Sequence, residues 1–144
     1  MKKLFLDANL VIYLNTMTGD ERSTIDQFFK DLLRDRLFIN LLVLDEALYI
    51  SRSRYRVPYA VTMNFLRRAL LPYTEIIPIA EEDLKATERY LIEYDIKPSD
   101  AIHLATMDKA GITSIISEDK ELDKVKGINR IWLEKIHKPL RRRP

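Results

Sequence analysis

The chain has no cysteine, and that single absence removes several chemistries. Disulfide scaffolds, thiol nucleophiles and thiolate zinc sites all require it. Histidine is nearly as scarce. Only His103 and His137 occur, which leaves too few for a multi-histidine zinc site. No run of about 18 apolar residues is present to span a membrane, and Met1-Lys2-Lys3 leads straight into a strand-like segment with no leader signature. The expectation is a soluble, cytoplasmic protein. A strong charge of either sign is also missing. Lys plus Arg number 24 and Asp plus Glu 22, a formal net charge of +2 with a pI of about 8.8, so the bias toward polyanions is weak. What is present is apolar material. Hydrophobic residues make up 47% of 144 positions, enough for one domain with a substantial core.

Apolar periodicity sets the organisation. Residues 3–7 read as a strand. Ile25, Phe28, Phe29, Leu32 and Leu33 share one helical face, which places a helix over 21–35. A short strand is expected at 37–39, then helices over 41–54 and from Pro58 to before Pro72. A strand at 75–79 precedes an amphipathic helix over 81–94, whose first turn is acidic, as the helix dipole favours. A further helix runs from Pro98 to about Gly111, and strands at 113–117 and 128–133 close the order. Strands alternating with helices predict an α/β fold with a parallel sheet covered on both faces. No repeat or linker divides the chain. We expect one domain over 1–136 and a basic, flexible tail over 137–144.

Four carboxylates stand out by position. Asp7 ends the first strand-like run, and Asp119 follows the run Ile115-Ile116-Ser117. Asp100 opens a helix behind Pro98 and Ser99, and Glu46 sits among Leu42, Val43, Tyr49 and Ile50 at helical spacing. Each has a plain structural alternative. Asp7 suits a helix cap, Asp100 a first helical turn, Asp119 a solvated turn, and Glu46 a helix margin from which its carboxylate reaches water. Asp45 has apolar neighbours much like those of Glu46, so the helical wheel does not choose between them. Open α/β sheets bind ligands outside the carboxyl ends of their strands. Carboxylates gathered there repel one another unless a cation or a shared proton offsets the charge. Mg²⁺ and Mn²⁺ prefer such oxygen ligands and can activate water against a phosphodiester. Asn9 can cap the following helix or orient Asp7, and Asp123, four residues beyond Asp119, is a candidate extension of the acidic group. Lone histidines are more often packed than ligating, so His103 reads as a packed helix residue.

Basic residues must hold a polyanion. Tyr49, Arg52, Arg54, Tyr55, Arg56 and Tyr59 interleave guanidinium and phenol groups, suited to phosphate contacts and base stacking. A solvated helix end with core tyrosines would give the same pattern. Arg52, Arg54 and Arg56 are the candidate contacts to such a polyanion.

Four segments in this order resemble the PIN domain, in particular the single-domain VapC-type toxins of prokaryotic toxin–antitoxin pairs. They are Leu4-Phe5-Leu6-Asp7-Ala8-Asn9, Leu44-Asp45-Glu46-Ala47-Leu48-Tyr49, Ser99-Asp100-Ala101-Ile102-His103-Leu104-Ala105, and Ile115-Ile116-Ser117-Glu118-Asp119-Lys120-Glu121-Leu122-Asp123. The resemblance implies a three-layer α/β/α sandwich around a short, mostly parallel sheet of about five strands. It places the family's catalytic, metal-binding acids on Asp7, Glu46, Asp100 and Asp119, with Asp123 as a fifth candidate. It also selects Glu46 over Asp45. Ser117 falls where relatives carry a small hydroxyl residue, and Asn9 where they carry a supporting polar one. Leu122-Asp123 departs from the aromatic-Asp pair usual there. By resemblance, the expected activity is RNA hydrolysis with Mg²⁺ or Mn²⁺, and the expected partners are RNA, a cognate antitoxin and a second copy of the chain. Val57, Val61, Phe65 and Leu66 offer apolar surface that places the homodimer interface within residues 41–71. The competing expectations are a non-catalytic RNA- or partner-binding module, and a phospho-acceptor domain using Asp7 as nucleophile.

Overall fold

Five short strands make one sheet at the centre of the computed structural model, which describes residues 1–136. They are β1 (Lys3–Leu6), β2 (Arg36–Ile39), β3 (Thr74–Ile76), β4 (Ser114–Ile116) and β5 (Asn129–Ile131), in the order β3-β2-β1-β4-β5. Every neighbouring pair is parallel, and Phe5 of β1 lies opposite Phe38 on one side and Ile115 on the other. Leu4, Phe5 and Leu6 are all buried, as are Leu37, Phe38 and Ile39. Both faces of the central strands are therefore covered, which explains why they read as continuous apolar runs rather than alternating ones.

The covering helices are α1 (Ala8–Thr16), α2 (Gly19–Leu32), α3 (Leu41–Tyr55), α4 (Tyr59–Phe65), α5 (Leu84–Tyr94) and α6 (Pro98–Ala110), with a short α7 (Leu133–Ile136) at the end. α1 packs on α2 and α3, α3 on α4, and α5 on α6. Helices therefore flank a parallel five-stranded sheet, the α/β/α arrangement expected above. The basic stretch 137–144 lies outside the described residues. Among those described, no helix is long and apolar enough to cross a membrane.

The boundaries differ from expectation for local reasons. The third strand is shorter than 75–79. Ile77 still donates to the Ile39 carbonyl at 2.8 Å, but Pro78 has no N–H to continue the ladder. The helix expected from Pro58 to Pro72 changes winding part-way. It widens over Leu66–Leu70 and tightens over Leu71–Tyr73, a turn that holds Pro72. α2 stops at Leu32, because the chain must turn for Arg36 to pair beside Lys3. Of the apolar residues in this region, Val61 is exposed and Leu66 is fully buried in the core.

The topology sets the site. From β1 the chain steps to β2 and β3 on one side, then crosses to β4 and β5 on the other. The crevice beyond the carboxyl ends of β1 and β4 lies where the strand order reverses, and such crevices take ligands in open α/β sheets.

Candidate functional site

Asp7 leaves the end of β1 and caps α1. Its backbone N–H donates to the Ile116 carbonyl at 3.0 Å, which ties the strand end to β4. Its Oδ1 accepts from the Ala8 N–H at 2.8 Å and its Oδ2 from the Ser117 hydroxyl at 2.7 Å. The side chain is aimed by both bonds and is only 5% exposed as a residue. Ser117 in turn accepts from the Asp119 N–H at 3.1 Å, so one hydroxyl, itself buried, orders two acidic segments. The helix-cap and functional readings of Asp7 are thus compatible, since the same carboxylate caps α1 and faces the crevice.

A cleft of about 430 Å³ opens at this point, lined by Asp7, Asn9, Glu46, Asp100 and Asp119 among others. The four acids come from four separate segments and meet in one cavity. Asp100, in the first turn of α6, is 4% exposed. Burial, then the charges of Asp7 and Asp119, push its carboxyl up to about 7. Glu46 is half-buried and is also raised, by burial first and Asp7 second, with a hydrogen bond to Ser99 and the charge of Lys97 opposing. Asp45, its rival in sequence, is exposed and does not line the cleft. Asp119 caps the turn Lys120–Lys124 through the Glu121 N–H, and its Oδ2 lies 3.5 Å from Lys97 Nζ.

The donor set fits a hard divalent cation. Four carboxylates offer oxygen ligands, and two buried oxygens facing this region, Asp100 Oδ2 and Asn9 Oδ1, have no hydrogen-bond partner. Asp7, Asp100 and His103 each also bring one potential ligand atom within 4.8 Å of the others. His103 is fully buried, and its Nε2 lies 3.6 Å from Asp7 Oδ1 and 4.0 Å from Glu46 Oε1. It is packed, as expected, but it packs into the wall behind the acids. Its position three residues after Asp100 on α6 is the signal that could have linked the two, because residues at that spacing share a helical face.

Two expectations land elsewhere. The Asp123 carboxylate does not line the cleft. It is held by Arg130 Nε at 2.9 Å, and that buried guanidinium also donates to the Ser117 carbonyl at 3.0 Å. Lys120–Lys124 is a 3₁₀ turn, in which a residue four positions on does not return to the same face as it does in an α-helix. The three arginines also separate. Arg54 lines the acidic cleft, whereas Arg52 and Arg56 line a different depression with Pro58. Arg52 stacks over the Tyr59 ring at 4.5 Å. Lys97 and Lys120, with Arg54, supply the positive groups at the cleft. Lys97 is raised in pKa: burial works against its charge, but Asp100 and Asp119 outweigh it.

The sequence pattern of the PIN domain matches residues 4–128, most of the chain. The chain belongs to the PIN domain family. No curated protein is a significant match. Solved structures are similar in fold at low identity. A DNA-bound VapBC from Salmonella typhimurium superposes with a TM-score of 0.69 at 15% identity, over 92% of this chain and 98% of that one. VapC20 of Mycobacterium tuberculosis, a toxin that cleaves the sarcin–ricin loop, gives 0.67 at 14%, over 83% and 92%. PAE2754 of Pyrobaculum aerophilum gives 0.65 at 19%, over 94% and 92%. This PIN chain therefore keeps the fold along nearly its whole described length, with the acid-lined cleft at its switch point.

Proposed function

We propose that this PIN domain is a divalent-metal-dependent endoribonuclease and the toxin of a type II toxin–antitoxin pair. The observation that carries the reading is the convergence of Asp7, Glu46, Asp100 and Asp119 from four segments onto one cleft. Burial and like charge there push the Asp100 carboxyl up to about 7. A fold gains nothing from gathering buried acids, so the arrangement points to a ligand that neutralises them. Asp7 and Asp100 would be the central ligands of Mg²⁺ or Mn²⁺, with Glu46 and Asp119 completing the set. When bound, the cation supplies water activation and charge neutralisation at the scissile phosphate.

The chain's own groups do the rest. Ser117 and the Ala8 N–H hold the two oxygens of Asp7 in place. Lys97 steadies Asp119 and, being mostly exposed, can also meet a phosphate entering the cleft. Arg54 extends that positive rim and offers a planar fork for phosphate oxygens. The structural neighbours include toxin–antitoxin complexes, which supports an antitoxin partner here. The test is cleavage of end-labelled RNA by the purified chain with Mg²⁺ or Mn²⁺. Cleavage is expected, is lost in EDTA, and falls by orders of magnitude in Asp7→Asn. A non-catalytic binding module would retain RNA without cutting it, and cleavage that survives both treatments would refute the metal-site assignment.

A further inference from the structure

Behind the acids, a chain of hydrogen bonds determines which way His103 points its proton. Asn40 follows β2 and caps α3, and its Oδ1 accepts from the Val43 N–H at 3.2 Å. That bond fixes the amide orientation, so Nδ2 is the atom that faces Thr106 Oγ1 and His103 Nδ1, both at 3.1 Å. The Thr106 hydroxyl gives its own proton to the His103 carbonyl at 2.9 Å, so its oxygen accepts from Asn40. The amide nitrogen then donates both of its protons, and His103 Nδ1 must accept. An imidazole that accepts at Nδ1 is neutral and carries its proton on Nε2.

The Nε2 atom has no hydrogen-bond partner and faces Asp7 Oδ1 and Glu46 Oε1 at 3.6 and 4.0 Å. We propose that His103 is a positioning residue, a donor locked by Asn40 and aimed at the Asp7 and Glu46 carboxylates, and not a ligand of the cation. This rests on the reading of those acids as a cation site. The cluster of Asp7, Asp100 and His103 is compact enough to suggest a mixed nitrogen and oxygen site, but a proton on Nε2 leaves no lone pair to give. The cation therefore meets oxygen only, which suits Mg²⁺ and Mn²⁺ and withholds the imidazole that zinc and nickel favour. Closing the gap to Asp7 by ~0.5 Å brings the N–H into hydrogen-bond range and adds a third hold on a carboxylate already bound by Ala8 and Ser117.

Long-range ¹⁵N–¹H correlation spectra of the two imidazoles test this on the full chain, with His137→Gln assigning the second ring. The expected His103 pattern is a bare Nδ1 and a protonated Nε2, in the metal-free protein and again with Mg²⁺ added. Protonation at Nδ1, or loss of the Nε2 proton on adding Mg²⁺, would overturn the proposal. Asn40→Ser keeps a capping oxygen but removes the amide N–H that reaches His103 Nδ1, so the two ring nitrogens should average toward a tautomer mixture. Unchanged shifts would refute the lock. Mg²⁺ titration calorimetry gives the functional arm. His103→Gln, which can place an amide N–H near the same point, should stay within about threefold of wild type, whereas His103→Leu should lose about 10–100-fold. Equal losses in both variants would overturn the donor role. An Nδ1–H tautomer with normal Mg²⁺ binding would overturn the positioning role alone. An Nε2–H tautomer with no Mg²⁺ binding in any chain, wild type included, would overturn the cation site and the role together.

Discussion

Replacing Asp100 by Asn should stabilise the metal-free protein while destroying its site. The carboxyl group is 4% exposed and one of its oxygens has no partner. Burial, Asp7 and Asp119 raise it from an ordinary 3.8 to about 7. That displacement corresponds to about 4 kcal/mol at full ionisation. Because the folded-state value lies above the unfolded one, the unfolded chain releases this proton first as pH rises. The penalty is absent below about pH 4, grows between about pH 4 and 7, and is complete above about 7. Asn carries no charge and escapes it. With EDTA at pH 8, Asp100→Asn should therefore unfold at a temperature about 10 °C above wild type, and at pH 4 the two should nearly coincide. Mg²⁺ at pH 8 should raise the wild type and leave the variant almost unmoved, because only the wild type keeps the full ligand set. A variant no more stable than wild type at pH 8 in EDTA would mean that the Asp100 charge is already compensated and that no repulsion is stored at the site.

Substrate contacts divide along the geometry. Arg54→Ala should weaken RNA binding and reduce the slope of log affinity against log salt by about 1, measured with Ca²⁺ to limit cleavage. Arg52→Ala, whose guanidinium lies on the Tyr59 ring, should leave that slope unchanged, and equal effects would refute the assignment. A homodimer through residues 41–71 should bury Val61, which is 53% exposed here, so Val61→Glu should turn a dimer at micromolar concentration into monomer in sedimentation velocity. A wild type that sediments only as monomer would contradict it.

The parts legible in sequence were those governed by local chemistry. Leu4–Leu6 and Ile115–Ile116 read as central strands because both faces are buried, and Asp7 and Asp119, at and beyond their ends, follow from strand-end logic, whereas Ser117 is marked only by the resemblance. Periodicity does not separate Glu46 from Asp45, since both have apolar neighbours at helical spacing; only the resemblance does. The choice depended on how α3 is rolled against α1, which no local pattern encodes. Arg52, Arg54 and Arg56 looked like one patch because they alternate, but alternation shares a face only in a strand. On a helix, residues two apart point in nearly opposite directions, and Arg56 adopts the left-handed cap with φ of 60°. Lys97 precedes Pro98 and carries no mark of its role, which comes from the path of a loop. Asn40 lies 63 residues from His103, so their bond is invisible until the sheet brings β2 beside α6.

The most direct measurement is anomalous scattering from Mn²⁺ in crystals of this chain. A peak is expected in the acidic cleft, about 2.0–2.3 Å from oxygens of Asp7 and Asp100, with Glu46 and Asp119 on the same ion directly or through water. The peak should vanish in Asp7→Asn crystals grown in the same condition. Mn²⁺ found only on surface carboxylates, or a cleft peak that survives the loss of Asp7, would contradict the claim that these four acids form a single catalytic cation site.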